Sequence, residues 1–371
     1  MSSFQILLVF TPLVFYFVGA EGRLFSRNED LELERQLKIL NKPAVKTLQT
    51  KHGDIYDCVD INKQPAFDHP LLQNHKVQTR PSFLLEETTP SMATSSQLGV
   101  LDEECPAGTV PIRRTTKQDL IQQKSLYTQM NFSNYKAGIP NVGLVYGEKA
   151  YGTSFFLNVW GLKIDAAQYS GAGTWVQNGA DIIQAGWIVD SGITGDGRTR
   201  LFTYWTNGNS GCYNTLCEGF VQFDKRVVVG APINHLSTYN GPQFEIHLEV
   251  QKDPNSQDWW LIFNGNIPVG YWPKSLFNSL ADDGGVISWG GFGIEGVRAP
   301  SPPIGNGHVG TEGDKKACYI RDIKLIEQNG RVQGLDIKLA HAGSYKKCYV
   351  VTGYEKEGDQ LRFYFGGPGG C

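Results

Sequence analysis

The chain has 371 residues, enough for two or three domains of ordinary size. Charged residues make up 19% and sum to −3, which leaves no electrostatic footprint for nucleic acid and no basic face for a membrane. Aromatic residues reach 12% and glycines number 43, a balance that suits short strands and tight turns better than long helices.

In chain order, residues 1–20 read as a signal peptide. Ile6 to Val18 is apolar and uncharged, and Val18, Gly19 and Ala20 supply the small residues at which a signal peptidase cuts. The run is shorter than the about 20 residues of a membrane-spanning helix, so a cleaved leader is the expectation over an anchor, although Met1 to Gln5 carries no basic residue. A helix is predicted over residues 26–40. Ser26 with Glu29 forms a capping box, Leu33, Leu37 and Leu40 repeat at helical spacing, and Pro43 ends the pattern. Gly53 to Asp60 is strand-like, and Pro65, Pro70 and Pro81 keep the following stretch extended and irregular. Residues 86–104 have the Ser, Thr and acidic composition of a linker. Order resumes at Cys105. Residues 117–130 form either a short helix or a second linker, and Asn131 heads an Asn-Phe-Ser acceptor for glycosylation.

From about Lys136 short apolar or alternating runs recur between Gly, Asn and Asp turns. The best strands are 154–159, 182–189, 200–206, 220–223, 243–250, 259–263 and 286–289. In 243–250, Phe244, Ile246, Leu248 and Val250 face one way and Glu245, His247 and Glu249 the other, the pattern of a half-buried antiparallel strand. No strand alternates with long helices, so an α/β fold is excluded. The expectation is an all-β fold: an antiparallel, jelly-roll-like β-sandwich over residues 136–371, preceded by a small mixed α/β region over 21–135.

Seven cysteines in an exported chain imply disulfides. Cys212 with Cys217 would clip a local loop, Cys348 with Cys371 would tie down the tail, and Cys58 with Cys105 would staple the N-terminal region. Cys318, in an apolar stretch, is then left as a buried, inert thiol. No cysteine spacing matches a zinc site, and neither a metal nor a cofactor is expected.

Three groups of residues invite a functional reading. Glu245, His247 and Glu249 share one strand face, which suits a metal cluster or a carboxylate pair. The two glutamates lie about 13 Å apart along a strand, beyond the about 5–9.5 Å of glycosidase pairs, so a solvated polar face is the simpler account. Trp187, Tyr204, Trp205, Tyr213, Tyr271, Trp272 and Trp289 either line a groove that stacks on a ligand or fill the core. Asp196, between two glycines, suits a hairpin turn. Serine-hydrolase, nucleotide and zincin motifs are absent from the sequence.

Several clusters carry a resemblance. They are Asp54-Ile55-Tyr56-Asp57-Cys58-Val59-Asp60, Gln64-Pro65-Ala66-Phe67-Asp68-His69-Pro70, Cys105-Pro106, and Pro111-Ile112-Arg113-Arg114, followed by Ala185-Gly186-Trp187, Tyr204-Trp205-Thr206, Gly211-Cys212-Tyr213-Asn214, Gly219-Phe220-Val221-Gln222, Trp259-Trp260, Gly270-Tyr271-Trp272-Pro273 and Trp289-Gly290-Gly291. Together they resemble the neprosin family of plant glutamic endopeptidases, over nearly everything after the leader. The resemblance implies a protein secreted to the extracellular space or apoplast as a proform, with an activation peptide before a β-sandwich. The family's enzymes cut peptides at acid pH with a preference for proline. Their two catalytic glutamates lie just before Ala-Gly-Trp and just after Trp-Gly-Gly. Here those positions hold Gln184 and Phe292. A glutamine amide can steady an oxyanion, as in the fungal glutamic peptidases, but a phenyl ring cannot act as a base. The nearest carboxylate is Glu295, which would need a bulge at Gly293 to turn onto the same face. Two functions follow: a non-catalytic peptide- or cell-wall-binding monomer with no nucleic-acid or membrane partner, or an altered acid endopeptidase that uses Gln184 and another carboxylate.

Overall fold

The structure is a computed structural model that describes residues 27–78, 80–84, 101, 103–132, 141–165, 168–190, 196–295, 300–357 and 360–371. The leader, the capping Ser26 and most of the expected linker lie outside the described residues, as does the side chain of Asn131.

Helix α1 (Arg27–Leu40) buries Leu33 and Leu40, two of the three leucines predicted to form its stripe. They pack with Leu120 and Ile121 of α2 (Lys117–Phe132). Thr116 caps α2 as a capping box with Asp119. The Asp119 amide donates to the Thr116 hydroxyl at 3.2 Å, and the Thr116 amide donates back to the carboxylate at 2.6 Å. Between the helices lies a three-stranded antiparallel sheet of β1 (Ala44–Gln49), β2 (Ile55–Asp60) and β3 (Thr109–Arg113), in that order. Cys58 and Cys105 are joined, stapling β2 to the approach to β3.

The remaining strands form two stacked antiparallel sheets. In chain order they are β4 (Val142–Tyr146), β5 (Gly152–Asn158), β6 (Tyr169–Asn178), β7 (Asp181–Val189), β8 (Thr199–Thr206), β9 (Gly211–Tyr213), β10 (Val221–Gln222), β11 (Glu245–Lys252), β12 (Trp259–Phe263), β13 (Ile267–Trp272), β14 (Val286–Ile294), β15 (Cys318–Ile326), β16 (Val332–Gly334), β17 (Ala340–Ser344), β18 (Val350–Val351), β19 (Glu355–Glu357) and β20 (Gln360–Gly366). One sheet runs β17-β4-β14-β6-β7-β8-β9. The other runs β10-β13-β12-β11-β5-β15-β20-β18, with β16 on β15 and β19 on β20. The expected antiparallel β-sandwich is therefore the fold.

The main core fills the space between the sheets. Ile246, Leu248 and Val250 of β11 point inward, fully buried, and meet Ile183, Ala185, Trp187 and Val189 of β7. All nine residues of β7 are buried, so the seven-stranded sheet is covered on its outer face as well. Disulfides join Cys212 to Cys217 and Cys348 to Cys371. Cys318 is free and fully buried, and burial pushes its thiol well above the usual range, as expected of an inert packing residue.

Candidate functional site

Strand alternation puts Gln184 and Phe292 on the same face of the seven-stranded sheet, the outer one. Gln184 pairs with Trp175 of β6 on one side and Tyr204 of β8 on the other, and Tyr204 pairs with Tyr213 of β9. This makes a cross-strand row of Trp175, Gln184, Tyr204 and Tyr213. Two residues along lies the row Gly173, Gly186 and Phe202, and two further the row Gly171, Ile188 and Arg200, with Phe292 of β14 beside Gly171. The glycines make room for the ring. A Cβ on Gly171 would stand 2.6 Å from the Phe292 ring and 2.5 Å from the Trp187 carbonyl.

Phe292 fills the ground between these rows. Its ring is 1% exposed, lies edge-on to Trp175 at 5.7 Å between centroids, and meets Phe202 at 5.5 Å. Tyr213 stacks on the other side of Phe202 at 5.7 Å. Gln184 is 2% exposed, and its amide nitrogen has no acceptor among the described residues; the same holds for the Trp175 indole N–H beside it. Buried donors without partners cost about 1–3 kcal/mol each, so an acceptor brought to this face would be stabilised by both. Burial also raises the Tyr204 phenol above its usual range. Aromatic side chains dominate the apolar cluster on this face, and the carboxylates bonded there, Asp54 and Asp196, sit at its Arg200 end, four residues or about 13 Å along β8 from Tyr204.

Glu295 does not reach the site. β14 stays in unbroken register with β6 through Gly293 and Ile294, with no bulge. Glu295 lies beyond the strand end, where Lys346 donates to it at 2.7 Å. The row paired with Ile294 is that of Tyr169, six residues from Trp175, or about 20 Å along the strand. The bulge at Gly293 that Glu295 would need is absent: continuous pairing with β6 leaves no extra residue to turn Glu295 inward.

The N-terminal unit covers this face at both ends. At one end the Gln123 amide of α2 donates to Cys217 Sγ at 2.9 Å. At the other, Arg200, only 2% exposed, is clasped by Asp54, which lies just ahead of β2. Its Nη1 donates to both Asp54 oxygens at 3.2 and 3.1 Å and to the Gly230 carbonyl at 2.8 Å. Its Nη2 donates to Asp54 at 3.1 Å and to Asp196 at 2.6 Å. Asp54 also accepts from Arg113 at 3.2 Å, and Arg113 donates to Asp119 at 3.1 Å. A chain of buried charge therefore runs from β8 to the cap of α2. Removing one member of such a pair strands its partner and typically costs about 3–5 kcal/mol.

Other expected site residues lie elsewhere. Trp187, Trp205, Trp272 and Trp289 sit in the core between the sheets, because alternation points them away from Gln184. Tyr271 lies on the outer face of the other sheet, where His75 is 2.9 Å from its hydroxyl and the Gln78 amide donates to it at 3.0 Å. Of the seven aromatics expected in a cleft, only Tyr204 and Tyr213 share the face of Gln184; Trp175 and Phe202 take the places of the others. Glu245 is held by Arg321 and by the Tyr319 hydroxyl, at 2.5–2.7 Å. His247 Nε2 and Ser154 Oγ are 2.7 Å apart. Burial lifts the Glu249 carboxyl to about 7 and lowers His247 to about 4. This face is half-buried rather than freely solvated, and no group placed to hold a metal occurs among the described residues. Asp196 does take a turn role, accepting from the Arg198 amide at 3.1 Å, but its second oxygen serves Arg200.

Residues 166–368, more than half the chain, match the family model described as Neprosin, and residues 47–142 match the one described as Neprosin activation peptide. Two solved structures of scytalido-glutamic peptidase, one with a peptide-based transition state analog and one with a transition state analog inhibitor, align at 10% identity with a TM-score of 0.33. Each alignment covers 60% of this chain and 96% of the other.

Proposed function

The chain belongs to the neprosin family, and from that premise we propose that it is a secreted, non-catalytic member that binds a peptide on the outer face of its seven-stranded sheet. The observation that carries this reading is the Phe292 ring, packed between Trp175 and Phe202 where the resemblance puts a catalytic glutamate. Peptide hydrolysis of this type needs one carboxylate to take a proton from water and a second group to polarise the scissile carbonyl. Gln184 and the Trp175 indole retain two N–H donors that suit a peptide carbonyl. Phe292 offers no group to take that proton, and the carboxylates Asp54 and Asp196 at the far end of the face are engaged by Arg200. Loss of a general base typically costs about 10²–10⁴-fold in rate, so binding outlives turnover. Three disulfides support an oxidising, extracellular compartment.

A peptide is favoured over a cell-wall polysaccharide because four of the tryptophans offered for sugar stacking face the core. The acid-endopeptidase alternative would need a carboxylate where the Phe292 ring stands. Acidification tests the reading. The purified full chain, held at about pH 4 where carboxyls titrate, is expected to keep its intact mass. Loss of the N-terminal unit from the pure chain alone would overturn the proposal.

A further inference from the structure

The covered face has two polar ends with an apolar middle. At one end are the unpartnered N–H groups of Gln184 and Trp175, and at the other is Arg200, with Phe202 and Phe292 between. Arg200 lies four residues along β8 from Tyr204, the neighbour of Gln184, or about 13 Å in an extended strand. A buried guanidinium in an apolar sandwich is costly unless a carboxylate meets it, and the fork of arginine suits two carboxylate oxygens. Here the N-terminal unit supplies that carboxylate. Asp54 approaches Arg200 with both oxygens, at 3.1–3.2 Å, while the buried Arg200 Nε still lacks an acceptor among the described residues. Asp196, on the same domain as Arg200, accepts from Nη2 at 2.6 Å. If the N-terminal unit leaves, Arg200 loses its two-oxygen partner Asp54 and keeps Asp196 on one nitrogen, and the rest of its fork and its Nε then face the same surface as Gln184.

Building on the peptide-binding reading above, we propose that Arg200 is a carboxylate anchor for the bound peptide and that Asp54 occupies that anchor in the covered form. The ligand class is a peptide bearing a carboxylate, either its free C-terminus or an acidic side chain, about four residues from the point where its carbonyl meets Gln184 and Trp175. Apolar residues between would lie on Phe202 and Phe292.

The first test uses the full chain with Asp54→Ala, which vacates the place of the Asp54 carboxylate and leaves Arg200 with Asp196 and the Gly230 carbonyl. Its thermal midpoint is measured in acetate, in acetamide and in sodium chloride of equal ionic strength. Acetate is expected to raise the midpoint by several degrees, acetamide and chloride are not, and Arg200→Met in the same background is expected to abolish the response. Equal responses to acetate and acetamide would overturn the proposal. If Asp54→Ala does not fold, Asp54→Asn, which keeps the shape and removes the charge, takes its place.

The second test uses the full Asp54→Ala chain carrying a protease site inserted within residues 133–140, nicked after purification and with the N-terminal unit then removed. It is offered three proline-containing octapeptides: one with a free C-terminus, its C-terminal amide, and the amide with a Glu four residues beyond a central apolar residue. Either carboxylate-bearing peptide is expected to bind at least tenfold more tightly than the plain amide, and Arg200→Met is expected to remove the difference. Which of the two binds more tightly identifies the source of the carboxylate. Equal binding of all three would sink the Arg200 anchor and leave the peptide-binding reading standing. No binding of any of them would sink both.

Discussion

Replacing Phe292 with alanine should destabilise the chain by about 3–4 kcal/mol. The ring is 1% exposed, and loss of a buried phenylalanine side chain costs about 3–5 kcal/mol through lost transfer energy and the cavity left behind. Its edge-on contact with Trp175 at 5.7 Å and its contact with Phe202 at 5.5 Å add about 0.5–1.5 kcal/mol each to such packing. Gly171 beneath has no side chain that can collapse into the gap, which argues against a low value. Partial relaxation of the unpaired Trp175 indole toward a new acceptor offsets some of the loss, which argues against the top of the range. Phe292→Leu, which keeps most of the volume, should cost about 1–1.5 kcal/mol. Urea unfolding of the three proteins at one pH, with the slope on denaturant held common, reads these differences as shifts in midpoint. A loss below about 1 kcal/mol for Phe292→Ala would mean that the ring does not plug the face, and the argument for a filled site would fail.

Two further predictions concern the rest of the molecule. Burial lifts the Glu249 carboxyl from 4.5 to about 7, so its contribution to stability is fully present below 4.5 and is lost as pH rises through about 7. That gap corresponds to about 3 kcal/mol, and Glu249→Gln should flatten the pH dependence of urea midpoints between 4.5 and 7; an unchanged slope would show the carboxyl to be solvated. His247 acts in the opposite sense: burial lowers it to about 4, so its contribution is present above 6.5 and lost as pH falls through 4. The Cys58–Cys105 bond straddles residues 85–100, and β2 pairs with β3 across the same stretch. A single protease cut within 85–100 should therefore leave one band on a non-reducing denaturing gel and two after reduction; two bands without reductant would contradict the pairing.

The sandwich was legible because its strands are written as alternation. Ile246, Leu248 and Val250 point inward as the two-residue period requires, and the Leu33 and Leu40 stripe marks α1 in the same way. The three disulfides are the pairs expected, Cys212 with Cys217 from their closeness in sequence and the other two from the regions they would tie, and Cys318 is the thiol left over. The cleft was less legible. Composition flags tryptophans, but only register tells which face each one takes, and the odd offset of Trp187 from Gln184 already points them to opposite faces. Trp175 carries no local motif; its place opposite Gln184 follows from the hairpin joining β6 and β7. The Thr116-x-x-Asp119 capping box was present in the sequence and favours a helix over a linker at residues 117–130. The pairing of Arg200 with Asp54 was out of reach, since the two are 146 residues apart and neither the Asp54–Asp60 motif nor the 200–206 strand pattern points to the other. Glu295 failed for a local reason: a bulge is a property of pairing, and β14 pairs without interruption.

The most direct test of the account restores what Phe292 displaces. The natural chain and a Gln184→Glu/Phe292→Glu double variant are incubated with a proline-containing peptide from about pH 2.5 to 6, the range in which carboxyls titrate, and products are read by mass spectrometry. The account predicts that the double variant cuts and the natural chain does not. Cleavage by the natural chain at a comparable rate would contradict it.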